Sequence, residues 1–177
     1  MSKTSKNLNQ LHSAIRVNHA GEYGAKQIYQ GQIAVFKMRN DQETVDLISH
    51  MKDQEDVHFE YFNQKIIEQK VRPTIMQPIW KVAGLALGIG TALMGKKAAM
   101  ACTVAVEEVI DEHYQEQLEN LEADEELKEK IEQFRQEELE HRDIGLENEA
   151  EESPIYKPLT FAIKTASKLA ITISKKF

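Results

Sequence analysis

A single cysteine, Cys102, in a chain of 177 residues leaves no material for a disulfide framework or a thiolate zinc site, and suggests a reducing compartment. It lies in the apolar stretch from Met100 to Val106, where a packing role is expected. Aromatic residues make up only 7% of the chain, period-two alternation is nowhere sustained, and no Asn-Gly or Asp-Gly pair joins two apolar runs. Strands therefore have little support. A membrane-spanning helix needs about 20 apolar residues, whereas the uncharged run from Val82 to Gly95 has 14. Positive charge is not in excess: the net charge of −7 argues against nucleic acid as the main partner. Met1 to Gln10 is polar and has no apolar centre, so no secretory signal is expected.

What the chain does have is helical pattern and an uneven distribution of charge. Five helices are predicted, over about 12–38, 42–69, 99–121, 125–149 and 157–175. Asn40-Asp41 supplies a turn and N-cap between the first two, and Asp124 the same between the third and fourth. A chain of this length is expected to form one domain spanning 1–177. From Glu107 to Glu152 there are 20 acidic against 4 basic residues, while Ser153 to Phe177 holds 5 lysines and no acid.

Two segments stand apart. The connection over about 72–98, opened by Arg72-Pro73 and Pro78, is apolar and rich in glycine, and is flanked by Lys81 and Lys96-Lys97. It suits either a buried crossover or a segment lying shallowly in a membrane interface. The last helix is amphipathic, with Lys164, Lys168 and Lys175 within ~40° of one another on its surface. Such a stripe fits an anionic lipid surface, or solvated lysines on a helix docked to a bundle.

The chemistry rests on two Glu-x-x-His pairs, Glu55/His58 and Glu138/His141. At this spacing a carboxylate and an imidazole project from one helix face and can share an ion. Each pair has a glutamate upstream at a matching interval: Glu55 follows Glu22 by 33 residues and Glu138 follows Glu107 by 31. Both intervals turn back near their midpoints, so antiparallel helix pairs would bring all six residues into one layer. One glutamate from each of two helices and Glu-x-x-His from each of the other two is the ligand pattern of ferritin-like di-iron and di-manganese bundles. The long passage from His58 to Glu107 then supplies the single crossover of an all-α, ferritin-like four-helix bundle. Four carboxylates would balance two divalent ions, and hard oxygen donors with imidazole suit iron or manganese. Glu22 lies among small residues (His19-Ala-Gly-Glu-Tyr-Gly24) that allow close backbone approach, with His19 in a supporting role. His113 and Tyr114, six and seven residues after Glu107, are candidates for relaying protons or electrons, and a core role suits Tyr114 equally.

At these residues the sequence resembles the demethoxyubiquinone hydroxylase family. The likeness lies in Arg16 to Gly31 (RVNHAGEYGAKQIYQG), Asp53 to His58 (DQEDVH), Arg72-Pro-Thr74, Gly90 to Gly95, Ala101 to Val109 (ACTVAVEEV) and Glu137 to Ala150 (EELEHRDIGLENEA). The resemblance puts metal ligands at Glu22, Glu55, His58, Glu107, Glu138 and His141. It implies two iron ions per chain, molecular oxygen as co-substrate, and hydroxylation of the ring of a polyprenyl quinol. It also implies a peripheral site on a membrane surface: the cytoplasmic face of a bacterial inner membrane, or the matrix side of a mitochondrial one. Gly88-Ile-Gly90 is followed by glycine only at Gly95, so there is no dinucleotide fingerprint. The electrons must come from an external reductant, either NADH directly or a separate reductase. A homo-oligomer is compatible with this reading. Two competing readings are a ferritin- or rubrerythrin-like ferroxidase or peroxidase, and a non-enzymatic quinone or lipid carrier with a structural metal.

Overall fold

The computed structural model describes residues 3–120 and 125–177. Helix α1 (Lys3–Met38) turns at Asn40, whose φ of 56° is left-handed, into α2 (Gln42–Glu68). As predicted, Asp41 caps α2, its carboxylate accepting from the Thr44 amide at 3.1 Å. Helix α3 (Gln77–Leu93) begins with Pro78 in its first turn, where a missing N–H costs nothing. Gly95, at φ 113°, turns the chain into α4 (Lys96–Asn120). Then come α5 (Glu125–Glu147), a short 3-10 turn (Ala150–Glu152) and α6 (Tyr156–Lys176). The expected cap at Asp124 lies outside the described residues.

Two antiparallel pairs, α1 with α2 and α4 with α5, form the ferritin-like bundle, with no strand among the described residues. An apolar cluster fills each end. Phe36, Val45, Ile48, Met100 and Val104 pack near the α1–α2 turn, and Phe62, Leu127, Ile131 and Phe134 pack at the opposite end. The layer that carries the predicted ligands lies between these clusters and is shielded from water on both sides.

The crossover, expected as either a buried crossover or a segment lying in a membrane interface, is a helix along its middle. It lies along α1 with its backbone almost touching: a Cβ on Gly88 would meet the Ile28 carbonyl oxygen at 2.0 Å, and one on Gly84 the Gly24 oxygen at 2.9 Å. Gly84 and Gly88 are therefore what lets α3 dock. The helix is neither fully buried nor free, because Ile79, Val82 and Leu93 on its outer face are more than half exposed. Both ends are pinned. Arg39 donates to the Ala92 and Leu93 carbonyls at 2.8 and 2.9 Å, satisfying acceptors at the C-terminus of α3. Trp80 Nε1 donates to Ser174 Oγ on α6 at 3.0 Å.

Helix α6 docks on α4 and α1. Two of the three lysines in its stripe are paired, Lys164 with Glu108 and Lys168 with Glu112 at 2.6 Å, both on α4, while Lys175 is exposed. The stripe thus matches the acidic surface of α4, and the outward face of α6 carries Phe161 and Leu169, 75% and 59% exposed. Lys96 and Lys97 are similarly engaged, with Glu43 and with Glu149 and Glu152.

Candidate metal centre

All six predicted ligands meet in one layer, and each is at most 1% exposed. Ligand atoms of Glu22, Glu55, His58 and Glu138 lie within 4.8 Å of one another, as do those of Glu55, Glu107, Glu138 and His141. Glu55 and Glu138 belong to both groups. The arrangement is therefore two adjoining four-ligand positions, each with a glutamate and a histidine of its own and two glutamates shared. Glu22 Oε2, both oxygens of Glu55 and Glu107 Oε2 are buried without a hydrogen-bond donor. Buried carboxylate oxygens left bare are costly, and cations placed between them would remove the cost. The donor set fits two divalent ions in number, charge and hardness.

Electrostatics without the ions show the same demand. Burial, followed by repulsion from Glu138, raises Glu55 and Glu107 well above the usual carboxylate range. Burial acts the same way on Glu138, but hydrogen bonds from His141 and His58 outweigh it and hold that carboxyl below the usual range. Burial would lower His58, yet Glu138 and Glu22 raise it to about 12, and Glu138 likewise raises His141 against its burial. The metal-free layer thus fills with protons where it would otherwise hold cations.

Each imidazole turns Nδ1 inward and Nε2 outward. His58 Nδ1 lies 3.1 Å from Glu138 Oε1, while its Nε2 is 2.5 Å from Glu137 Oε2. His141 Nδ1 lies 3.2 Å from Glu138 Oε2, and its Nε2 is 3.0 Å from Gln54 Oε1. The outer partners keep the proton on Nε2 and free Nδ1 for an ion. Glu137 and Gln54 were not singled out in the sequence, although each immediately precedes the glutamate of a Glu-x-x-His pair. Tyr29 was also missed. It donates to Glu107 Oε1 at 2.6 Å, as Tyr114 donates to Glu22. The repeated spacing of seven from glutamate to tyrosine was the available signal.

His113 is nine-tenths buried and sits beside the layer rather than in it. Its Nε2 is 2.7 Å from Gln117 Nε2, so the ring nitrogen accepts and the imidazole is neutral. Burial and then Lys175 depress it to about 4. Asn18 and Gln117 exchange two further amide hydrogen bonds, at 2.6 and 2.9 Å. His19 packs against Phe59 in a tilted ring contact, centroids 4.8 Å apart, and is in neither ligand group.

A cavity of about 200 Å³ reaches the layer from outside, walled by α1, α3, α4 and α6. Glu22 and Tyr114 form its inner end, Ile28, Leu87, Val106 and Ile110 its apolar sides, and the exposed Ala83 and Ala166 its mouth. The small residues around Glu22 serve both purposes: Gly21 and Gly24 line this cavity, with nothing within 4 Å of a Cβ on either, and the expected close backbone approach occurs at Gly24, whose carbonyl oxygen would lie 2.9 Å from a Cβ on Gly84.

Residues 9–174 match the family described as ubiquinone biosynthesis protein COQ7. The chain belongs to the COQ7 family. It is 51% identical over 163 residues to a 3-demethoxyubiquinol 3-hydroxylase of Rhodospirillum rubrum, covering 92% of this chain and 76% of that protein. It is 54% identical over 166 residues to the mitochondrial NADPH-dependent 3-demethoxyubiquinone 3-hydroxylase of Dictyostelium discoideum, covering 92% and 75%. The human enzyme of the same name is 48% identical over 167 residues, covering 92% and 76%. The resemblance read from the motifs and the family match therefore agree. Among the described residues, no helix is long and apolar enough to cross a membrane.

Proposed function

We propose that this COQ7-family protein is a di-iron monooxygenase that hydroxylates the ring of a demethoxyubiquinol-type polyprenyl quinol. The observation that carries the reading is the apolar cavity ending on Glu22 at the double four-ligand layer. A ferroxidase needs a path for hydrated ions; this path has apolar walls and suits a ring with a hydrocarbon tail.

Glu55 and Glu138, common to both groups, would hold two iron ions together with Glu22 and His58 on one side and Glu107 and His141 on the other. Bound iron would supply the activation of dioxygen. One oxygen atom replaces a ring hydrogen as hydroxyl and the other leaves as water, with two electrons and one proton drawn from the reductant and a second proton from solvent. The chain's own residues hold and seal the site. Tyr114 and Tyr29 keep Glu22 and Glu107 in place, and the apolar end clusters exclude water. Asn18, Gln117 and His113 offer a polar edge beside the cavity for the oxygens of the ring. No dinucleotide fold is present among the described residues, so a reduced nicotinamide dinucleotide would act as a diffusing donor. The names of several relatives specify NADPH, where the resemblance had left NADH and a separate reductase both open.

Val82 on α3 and Phe161 and Leu169 on α6 give the protein an exposed apolar surface on the two helices that form the cavity mouth. This surface supports peripheral docking on a membrane, from which an insoluble quinol can pass into the cavity. Since Lys164 and Lys168 are already paired, the apolar residues contribute more to docking than the lysines.

The decisive experiment is anaerobic metal analysis followed by oxygen exposure with a short-chain demethoxyquinol and mass analysis of the ring. About two irons per chain and a product heavier by one oxygen atom are expected. Two irons with an unchanged quinol would favour the ferroxidase instead.

A further inference from the structure

The two halves of the metal layer match in residue type at their glutamates, histidines and tyrosines, but not behind the histidines. His58 on α2 directs Nε2 to Glu137, the residue before Glu138 on α5. His141 on α5 directs Nε2 to Gln54, the residue before Glu55 on α2. The positions match, but one partner is a carboxylate and the other an amide. The separations differ in the sense expected for a charge-assisted bond, 2.5 Å against 3.0 Å.

Resting on the di-iron reading above, we propose that Glu137 and Gln54 are positioning residues that make the two metal positions unequal, the one at His58 being the tighter. A carboxylate accepting from Nε2–H draws on that proton and makes Nδ1 a stronger donor to an ion; a neutral amide oxygen does so less. Glu137 is itself held, accepting from Gln133 Nε2 at 2.9 Å, and Phe134 lies against the His58 ring with centroids 4.2 Å apart. The inequality also has a direction in space. Glu22, in the His58 group, lines the cavity with Tyr114, whereas Glu107 is absent from the cavity lining. The firmly held ion is therefore the one that faces the substrate.

The test is anaerobic titration of metal-free protein with Co2+, followed by visible absorption. The parent should take up two ions in two resolved steps. Glu107→Gln should spare the tighter step and Glu22→Gln should remove it, which assigns the positions. Glu137→Gln should weaken the tighter step by about 10- to 100-fold and leave the other nearly unchanged. Gln54→Glu should strengthen the weaker step, and Glu137→Asp should restore part of the loss. Melting of each metal-free variant like the parent shows that folding is intact. Equal affinities in the parent, or equal weakening of both steps by Glu137→Gln, would overturn the proposal. Uptake of fewer than two ions by the parent would instead overturn the di-iron reading and this inference with it.

Discussion

Tyr29 and Tyr114 are reciprocal partners: each lies seven residues after the glutamate of its own helix and donates its hydroxyl to the glutamate of the other's. The exchange ties α1 to α4 across the middle of the layer. Burial, followed by nearby carboxylates, raises both phenols well above their ordinary range, so both remain donors at any working pH. Only Tyr114 lines the cavity. Tyr29→Phe should therefore loosen metal by roughly 10- to 100-fold with an unchanged KM for quinol. Tyr114→Phe should do the same and raise KM as well. Metal titration beside steady-state turnover separates the two; full metal retention in Tyr29→Phe would count against a supporting role.

Helix α3 depends on a missing side chain. Gly88→Ala places a Cβ 2.0 Å from a backbone oxygen on α1, which cannot move as a side chain tip could. The expected loss is about 1–3 kcal/mol, seen as a melting point lower by several degrees. Gly90→Ala, with nothing within 4 Å, is the control and should be neutral or slightly stabilising. Equal melting points for the two variants would remove the argument for a close contact between α1 and α3.

Docking on lipid should depend on the apolar surface of α3 and α6. Val82→Asp with Phe161→Asp should abolish sedimentation with liposomes and leave metal content intact, since neither residue is in the ligand groups. Each removes an apolar contact of up to about 1.5–3 kcal/mol. The parent should sediment with neutral as well as anionic lipid. Binding to anionic vesicles alone would return the main role to the lysines.

Metal and protons compete for the same layer. In the metal-free protein Glu55, Glu107, His58 and His141 all have raised values, so the folded state binds more protons than the unfolded chain. The stability these groups contribute is greatest at low pH and is lost as pH rises. Glu138, held low, acts in the opposite sense only in acid, and the depressed His113 only below its ordinary value. From about pH 7 to 9, the metal-free melting temperature should fall, while metal affinity rises and uptake releases protons. Scanning calorimetry across that range decides it; a metal-free melting temperature that climbs would contradict the assignment.

The gathering of the six predicted ligands into one layer was legible in the sequence because their code is local. Glu-x-x-His fixes a shared helix face, and intervals of 33 and 31 residues fold back to one height whatever the other side chains are. The Asn40-Asp41 turn was legible for a similar reason, since a left-handed residue and a capping carboxylate act within four residues. Glu137 and Gln54 were not, because their partners lie 79 and 87 residues away and either would suit an exposed helix face equally well.

By itself, then, the sequence determined the helical class and the layer of four glutamates and two histidines, which follow from spacing along single helices, and the family, which follows from the resemblance of its motifs. Tertiary structure decided which residues stand behind this layer, that the crossover helix is held against α1 by Gly84 and Gly88, and that Gly21 and Gly24 also line a cavity. It also turned Lys164 and Lys168 of α6 toward Glu108 and Glu112 and left Phe161 facing outward. Helical periodicity gives a side chain its direction about its own axis; what lies in that direction depends on where the neighbouring helix has docked.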